Sequence, residues 1–213
     1  MPWASLRPLL PGGPEEVERC IGRLRTFASE LLRWNQGVSN LVSRDDEPRL
    51  IDRHIAESLA GLTVINSLGC KKLLDFGSGG GFPAMPLALA GAGERWTLVE
   101  SRRNKTLFLR RAVQALGLSH VEVVTGRLEM LADDQLRAVR ADAFTSRATL
   151  KLGPTLALAA RVLPAGGHAI LWKGSGVHDE IAAAGEALRN GWSEPVVHAL
   201  RDSVNAIVVM TRK

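Results

Sequence analysis

The chain has 213 residues, of which 46% are apolar and 23% charged, enough for one good core with a modest extension and hardly for two full domains. No run approaches the ~20 apolar residues that cross a bilayer, and the N-terminus lacks the charged and apolar regions of a secretion signal, so we expect a cytoplasmic protein with no membrane partner. A formal net charge of +5 favours polyanions such as RNA, but only weakly.

The first 68 residues carry helical patterns. A helix is predicted to begin near Pro14, because apolar residues then recur at spacings of three and four: Val17, Ile21, Leu24, Ala28 and Leu31. After a polar break at residues 35–37, a second helix is predicted from about Pro48, and it should bury Ile51, Ile55, Leu59 and Leu62. We therefore predict a helical cap over residues 1–68.

From Lys71 onward, short apolar segments alternate with helical ones, which is typical of parallel β-α-β units. We predict strands near 72–76, 95–99, 120–124, 142–146 and 168–173, and helices near 83–90, 103–116, 128–139, 154–162 and 178–189. Two further apolar segments, 196–200 and 206–210, are separated by a short polar turn and predict a hairpin. The expected fold over residues 69–213 is a seven-stranded, mostly parallel sheet whose last strand is antiparallel.

A glycine-rich turn follows the first predicted strand. The sequence from Asp75 to Pro83, Asp-Phe-Gly-Ser-Gly-Gly-Gly-Phe-Pro, places glycine at alternate positions, where positive φ and the lack of a Cβ let a ligand lie on the backbone. About twenty residues later, the next apolar segment ends in Glu100, whose carboxylate could accept hydrogen bonds from both ribose hydroxyls. Together the two features predict a nucleoside-cofactor site.

Two kinds of cofactor fit this pattern, and the prolines after the turn favour one of them. A dinucleotide needs free N–H groups at the helix start for its pyrophosphate, and Pro83 and Pro86 remove two of these donors. S-adenosylmethionine carries no phosphate and needs a polar group near its amino acid end, where Asp75 stands. We favour S-adenosylmethionine over a dinucleotide and over an ordinary tight turn that binds no ligand.

Ligands of open α/β sheets lie beyond the carboxyl ends of the strands, and the residues there are the site candidates: Asp75, Glu100, Thr125-Gly126-Arg127, Ser146-Arg147 and Trp172-Lys173-Gly174. A basic segment follows Glu100, with Arg102, Arg103, Lys105, Arg110 and Arg111, and is interpreted either as a solvated helix face or as an RNA contact. The two cysteines, Cys20 and Cys70, stand in no metal-ligand spacing, so no metal site is expected.

The chain resembles the RsmG family, also called glucose-inhibited division protein B, over nearly its whole length. The residues that carry the resemblance are Trp34-Asn35, Ser39-Asn40-Leu41, Arg53-His54-Ile55, Ser58-Leu59, Asp75 to Pro83, Ser146-Arg147-Ala148, Lys173-Gly174 and Ile207-Val208-Val209. The resemblance implies a class I, Rossmann-like methyltransferase fold, S-adenosylmethionine as cofactor, and methylation of guanine N7 in 16S rRNA within the small ribosomal subunit. We expect the enzyme to be a monomer.

Carried onto this sequence, the resemblance and the strand-end positions predict two sets of site residues. The cofactor-binding set is Asp75, Gly77, Ser78, Gly79, Gly81, Phe82, Glu100, Arg127, Leu128 and Arg147, and the catalytic set is Arg147, Lys173, His54 and Asn35. Two positions depart from the family pattern: Glu57 replaces an aspartate, and Ala84 replaces a glycine after the proline. The first departure leaves the role of Glu57 open.

Several roles have two interpretations at this stage. Arg147 and Lys173 either hold RNA phosphates or guanine O6, or are surface charges at loop starts. His54 either orients a polar network or is merely structural, and Asn35 and Asn40 either contact a base edge or cap a helix end and a turn. Trp34 is expected in the core.

Guanine N7 has an in-plane lone pair, so alignment rather than a general base can supply most of the acceleration. Two other functions stay open: a methyltransferase of a protein or small metabolite, and an RNA adaptor that binds a nucleotide without catalysis.

Overall fold

A seven-stranded sheet forms the centre of the protein, seen in a computed structural model that describes residues 2–37, 40–185, 188, 191–201 and 203–213. Its strands are β1 (Lys72–Phe76), β2 (Arg95–Glu100), β3 (Val121–Thr125), β4 (Ala143–Arg147), β5 (His168–Lys173), β6 (Val196–Ala199) and β7 (Ala206–Thr211). The order across the sheet is β3-β2-β1-β4-β5-β7-β6. The seven predicted strands are therefore confirmed to within about one residue at each end.

The first five strands are parallel, β7 runs antiparallel to β5, and β6 pairs antiparallel with β7 at the edge. This confirms the predicted hairpin and antiparallel last strand. The strand order changes direction between β1 and β4, and ligands of open α/β sheets bind beyond the carboxyl ends at such a switch point. The topology therefore places the ends of β1, β2, β4 and β5 around one crevice.

Helices cover both faces of the sheet. They are α1 (Pro14–Gly37), α2 (Ala56–Leu59), α3 (Gly61–Ser67), α4 (Ala84–Leu89), α5 (Arg103–Ala115), α6 (Asp133–Val139), α7 (Leu152–Val162) and α8 (Val177–Ala183). Side chains alternate along a strand, so Leu73 packs into one core with α1 to α5, and Leu74 packs into the other with α6 to α8. The result is a three-layer α/β/α arrangement. Among the described residues, no helix is long and apolar enough to cross a membrane.

The segment after α1 differs from the single second helix that was predicted. It contains a 3₁₀ segment (Arg44–Arg49), a π-helical turn (Leu50–Ile55) and the short helices α2 and α3. Pro48 lies inside the 3₁₀ segment, and Arg49 after it leaves the helical conformation, with φ of −99° and ψ of 10°, so one continuous α-helix does not form here. The predicted burial is confirmed for Ile55, Leu59 and Leu62, whereas Ile51 is only partly buried.

The predicted helix at 128–139 is interrupted, and the predicted helix at 178–189 is only partly described. The stretch 128–139 divides into a 3₁₀ turn (Leu128–Met130) and α6, because Leu131 is extended, with ψ at 138°. α8 ends at Ala183, and part of the predicted 178–189 helix lies outside the described residues, as does Ser39. The predicted boundary between residues 68 and 69 stays a prediction, although helices on its N-terminal side share a core with the sheet.

Candidate active site

Two cavities open at the carboxyl edge of the sheet. The first has a volume of about 460 Å³ and is lined by the ends of β1, β2 and β3: Phe76, Gly77, Gly79, Val99, Glu100, Ser101, Arg102, Lys105, Gly126, Arg127, Leu128 and Glu129. Residues 148–150 complete its wall on the β4 side. Five of the predicted cofactor-binding residues therefore line the first cavity: Gly77, Gly79, Glu100, Arg127 and Leu128.

The glycine turn after β1 brings bare backbone to the first cavity. Gly77 and Gly79 have φ of +70° and +53°, a region that residues with a Cβ rarely adopt. The N–H groups of Gly77 and Ser78 donate to the carbonyl of Val99, at 2.9 and 3.2 Å. The turn is thus fixed to β2, and Ser78 itself is buried beneath it.

The later part of the turn faces the cap. A Cβ at Gly81 would lie 2.7 Å from Met85 Cγ and 3.2 Å from Phe27 Cζ, so this glycine permits helix packing. The ring of Phe82 packs edge-on against Phe27, with 5.6 Å between centroids. The structure therefore places Gly81 and Phe82, both predicted as cofactor-binding, against the cap and not among the residues that line the first cavity.

Glu100 is held at the mouth of the glycine turn by backbone donors. Its Oε2 accepts from the N–H of Gly79 at 2.9 Å, and its Oε1 accepts from the N–H of Arg102 at 2.7 Å. Oε1 also accepts a longer bond from Ser101 Oγ at 3.4 Å, and Oε2 has a lone pair left for a second bond. A buried, preoriented carboxylate of this kind is suited to receive the two hydroxyls of a ribose.

Asp75 precedes Phe76, which lines the first cavity, on β1 and is 1% exposed. Burial raises its pKa to about 7, while hydrogen bonds from Thr145 and Ser78 oppose the shift. Oδ1 accepts from Thr145 Oγ1 at 2.7 Å, but Oδ2 is buried with no partner in the described structure. A buried polar atom of this kind costs stability unless a donor reaches it.

The second cavity, of about 480 Å³, lies on the other side of residues 148–150, which are exposed and which we call the ridge. Ala148 has φ of +53°, and the hydroxyls of Ser146 and Thr149 lie 2.5 Å apart. The ridge packs closely against the glycine turn. A Cβ at Gly77 would lie only 2.5 Å from Thr149 Cγ2, so a glycine is needed there. The same three residues therefore form a wall of both cavities.

Arg147 joins the sheet to the cap from the wall of the second cavity. Its guanidinium donates to Glu57 Oε2 at 2.8 Å and to the carbonyls of Arg53 and His54 at 3.1 and 3.2 Å. Burial lowers the pKa of Arg147, and Glu57 opposes that shift. The structure thus places Arg147 in the second cavity and not among the residues that line the first.

Lys173 also lines the second cavity, where its side chain is 8% exposed. Its Nζ donates to the carbonyl of Leu150 at 2.8 Å and to Glu180 Oε2 at 2.9 Å. The same Glu180 oxygen accepts from the N–H of Leu152 at 2.8 Å. Lys173 and Glu180 together hold the ridge and the start of α7.

His54 lies on the cap side of the second cavity. Burial lowers its pKa to about 4, with further lowering by the charge of Arg147, so the imidazole is neutral at pH 7. Its Nε2 is buried and has no hydrogen-bond partner among the described residues, with Asp46 Oδ2 at 3.8 Å. The ring packs 5.1 Å from that of Phe82.

Asn35 reaches neither cavity. Its Oδ1 accepts from the N–H groups of Leu41 and Val42, and its Nδ2 donates to the carbonyl of Val42 and to Glu47. The amide is therefore occupied in organising the loop after α1, whereas Asn40 is exposed. Trp34 packs 6.0 Å from Phe108 at the edge of the core, as expected.

The basic segment after Glu100 divides into two parts. Arg102 and Lys105 line the first cavity, whereas Arg110 donates to the carbonyl of Val123 and to Thr125, and Arg111 pairs with Glu30. No group of three or more His, Cys, Asp or Glu side chains in the described ranges could hold a metal ion.

Glu57 and Glu180 are the residues that sequence reasoning did not assign. Glu57 Oε1 accepts from Ser203 and from Asn205, at 2.8 and 2.9 Å, and its carbonyl accepts from Trp172 Nε1. It thereby joins the cap, β5 and the β6–β7 turn. In the sequence, Glu57 could be noticed only because it departs from the family pattern. No sequence pattern identifies Glu180, which simply follows Lys173 by seven residues.

The chain matches the family GidB, described as rRNA small subunit methyltransferase G, over residues 21–202. It is 38% identical over 162 residues to ribosomal RNA small subunit methyltransferase G of Neisseria gonorrhoeae, a match that covers 76% of this chain and 74% of the relative. The same-named protein of Halorhodospira halophila is 39% identical over 166 residues, covering 78% and 75%.

Two solved structures share the fold at low identity. An O-methyltransferase from Bacillus cereus in complex with SAH superposes with a TM-score of 0.61 at 17% identity, over 88% of this chain and 90% of that one. An rRNA methylase from Streptococcus thermophilus gives a TM-score of 0.54 at 15% identity, over 72% and 94%. These likenesses confirm the predicted class of fold.

Proposed function

We propose, on the premise that the chain belongs to the GidB family of small-subunit rRNA methyltransferases, that it transfers a methyl group from S-adenosylmethionine to N7 of a guanosine in 16S rRNA. The observation that carries the proposal is the pair of cavities at the carboxyl edge, separated by the ridge. One cavity has the features of a nucleoside site, and the other is a polar space beside it. A methyl donor and a base that accepts the methyl need such adjacent sites.

The first cavity fits S-adenosylmethionine by the chemistry of its walls. Gly79 lets the ligand approach the backbone, and Glu100 offers acceptors to the ribose hydroxyls. Asp75 has a buried Oδ2 without a partner, which the positively charged amino acid end of the cofactor could satisfy. Leu128 and Arg127 complete the wall at the end of β3.

S-adenosylmethionine, when bound, supplies a methyl group on a sulfonium centre. Guanine N7 already carries a lone pair, so the chain's own residues need only orient the base and keep water out. Arg147 and Lys173 are tied to carboxylates and carbonyls around the second cavity. Their charges are thereby fixed and balanced, which suits a space that receives a neutral base.

The substrate context follows from the family. We infer that the RNA is presented within the small ribosomal subunit, in the cytoplasm, and that the enzyme acts as a monomer. Residues 1–68 form the cap and residues 69–213 the methyltransferase domain in this proposal. Arg53, His54 and Glu57, which line the second cavity from the cap side, support a role for the cap at the entrance for RNA.

The experiment uses labelled S-adenosylmethionine with deproteinised 16S RNA, with small subunits from a strain that lacks this gene, and with total lysate. We expect label in 16S RNA of the subunits, and borohydride and aniline should cleave that RNA at one site, because N7 methylation leaves a cationic base. Label in proteins or metabolites would support the second methyltransferase class. RNA binding with no label in any sample would support the adaptor.

A further inference from the structure

We propose that Lys173 and Glu180 select guanine over other bases by contacting O6 and N1–H of the base in the second cavity. The inference rests on the proposed function and adds to it the residues that identify the base. It begins from an asymmetry among the carboxylates of that cavity. Glu57 has both oxygens bonded, to Arg147 and to Ser203 and Asn205.

Asp46 is occupied in the same way, since Oδ1 accepts from Arg53 and Oδ2 accepts from Ser43. Glu180 differs, because both of its bonds use Oε2, from Lys173 Nζ and from the N–H of Leu152. Within the described structure, Oε1 has no donor. Glu180 is thus the carboxylate of this cavity that keeps a free acceptor oxygen.

Lys173 provides the complementary donor. Its ammonium has three N–H groups, and two of them are used, by the carbonyl of Leu150 and by Glu180. The third remains beside Glu180 on the same wall. The pair therefore offers one donor and one acceptor at adjacent positions, on side chains whose other bonds fix them in place.

Guanine presents the matching pattern, with O6 as an acceptor next to N1–H as a donor. Adenine presents the reverse, with an amino donor at C6 and an acceptor at N1, so its approach would bring donor to donor and acceptor to acceptor. A site built to hydrogen-bond a substrate rejects an analogue that leaves its polar groups unpaired. The volume of about 480 Å³ lies in the usual range for small-ligand sites, roughly 300–1,000 Å³.

Position in the fold agrees with this assignment. Lys173 holds the carbonyl of Leu150, and Leu150 belongs to the ridge that separates the second cavity from the first. In guanine, O6 is adjacent to N7. A base whose O6 contacts Lys173 therefore has N7 on the side nearest the ridge, where the methyl donor is expected.

The test compares bases at the target position in small subunits reconstituted with ligated 16S RNA. Inosine keeps O6 and N1–H, so the wild-type protein should methylate it within about threefold of guanosine. 2-Aminopurine keeps N7 but lacks O6 and has an acceptor at N1, and its rate should be lower by a factor of at least about ten. Equal use of guanosine and 2-aminopurine by the wild-type protein would overturn the inference without any variant.

Glu180→Gln provides the second measurement. With its amide oxygen anchored by Lys173 and Leu152, the amide N–H would face the base, where it would repel N1–H of guanine and donate a hydrogen bond to N1 of 2-aminopurine. We expect the preference for guanosine over 2-aminopurine to fall at least about tenfold, with the dissociation constant for S-adenosylmethionine unchanged by calorimetry. A purely structural effect would lower both rates equally, and that outcome would contradict the proposal.

Asp179→Asn is the matched control, because it removes the same charge from the exposed neighbour on α8 and should leave the preference unchanged. The proposed function and this inference fail in different ways. No methylation of guanosine subunits by the wild-type protein would defeat the function. Methylation with an unaltered preference in Glu180→Gln would defeat only the assignment of the base contact.

Discussion

The two cavities meet at the ridge but are built in different ways. The first consists of backbone turns and strand ends, and its key carboxylate, Glu100, is held by N–H groups of Gly79 and Arg102. The second consists of charged side chains paired across long sequence distances, such as Arg147 with Glu57 and Lys173 with Glu180. A local motif thus makes the first cavity, whereas packing of the cap against the sheet completes the second.

This difference means that the two cavities should respond separately to substitution. Loss of a charge pair in the second cavity should disturb the cap and the RNA step, with little effect on the binding of the cofactor. Loss of Glu100 should do the opposite. Four measurements, taken from the largest expected effect to the smallest, test how far this separation extends.

Glu57→Ala should have the largest effect. Glu57 and Arg147 are only 10% and 11% exposed, and removal of one partner leaves a buried charge without compensation, which costs about 3–5 kcal/mol. Urea unfolding should give this loss, while calorimetry below the transition should give unchanged affinity for S-adenosylmethionine. Arg53→Ala, which removes a more exposed pair with Asp46, should cost less than about 1 kcal/mol.

Glu100→Gln should act on the first cavity alone. Hydrogen bonds to a charged acceptor contribute about 1.5–3 kcal/mol, so affinity for S-adenosylmethionine should fall by roughly 10- to 100-fold. Glu129→Gln, which changes an exposed acid on the same cavity, is the control and should bind normally. Wild-type affinity in Glu100→Gln would remove Glu100 from the ribose site.

Asp75→Asn should make the protein more stable at high pH. The folded-state pKa of Asp75 is raised to about 7 from an unfolded value of about 3.9, so its ionisation destabilises the fold as pH rises between these values. The full shift corresponds to about 4 kcal/mol, and the added amide N–H, which lacks an acceptor, offsets about 1–3 kcal/mol of it.

We therefore expect a gain of about 1–3 kcal/mol in the free energy of unfolding at pH 8, and this gain should be lost as the pH falls from about 7 to below 4. Urea titrations at several pH values measure the gain. The variant should also bind S-adenosylmethionine more weakly, because Oδ2 is lost as an acceptor. A stability difference that does not depend on pH would contradict the assigned cause.

Lys151→Ala should have the smallest effect and should refine the account of the second cavity. Lys151 is exposed on that cavity and has no ion pair among the described residues, unlike Arg147 and Lys173. It is therefore the better candidate for a phosphate contact, and its loss should reduce the salt dependence of RNA binding by about one counterion. Arg95→Ala, at the opposite end of the sheet, should leave the salt slope unchanged.

The fold and the first cavity could be predicted from sequence because their signals are local. The strands were predicted from short apolar segments that alternate with helical ones, and the glycine turn with Glu100 lies within one β-α-β unit. The second cavity could not be predicted in the same way, because its geometry depends on pairs such as Glu57 with Arg147, ninety positions apart. Arg147 and Lys173 were correctly placed at the edge, but their partners were not foreseen.

Asn35, Gly81 and Phe82 illustrate a second limit. Each belongs to a motif that resembles a functional one, yet the structure uses Asn35 for a loop and the other two for packing against the cap. A motif identifies the neighbourhood of a site, whereas only the fold shows which of its side chains line a cavity. Site assignments by motif are therefore safest for residues at the carboxyl ends of strands.

The ridge has a thermodynamic consequence. Thr149 packs against Gly77 and also lines the second cavity, so under the proposed function its position contributes to the binding free energy of both ligands. A ligand that moves Thr149 changes the affinity for the other ligand by some factor, and linkage requires that factor to be equal in both directions. The affinity for RNA measured with and without cofactor therefore also fixes how strongly RNA retains or releases the cofactor.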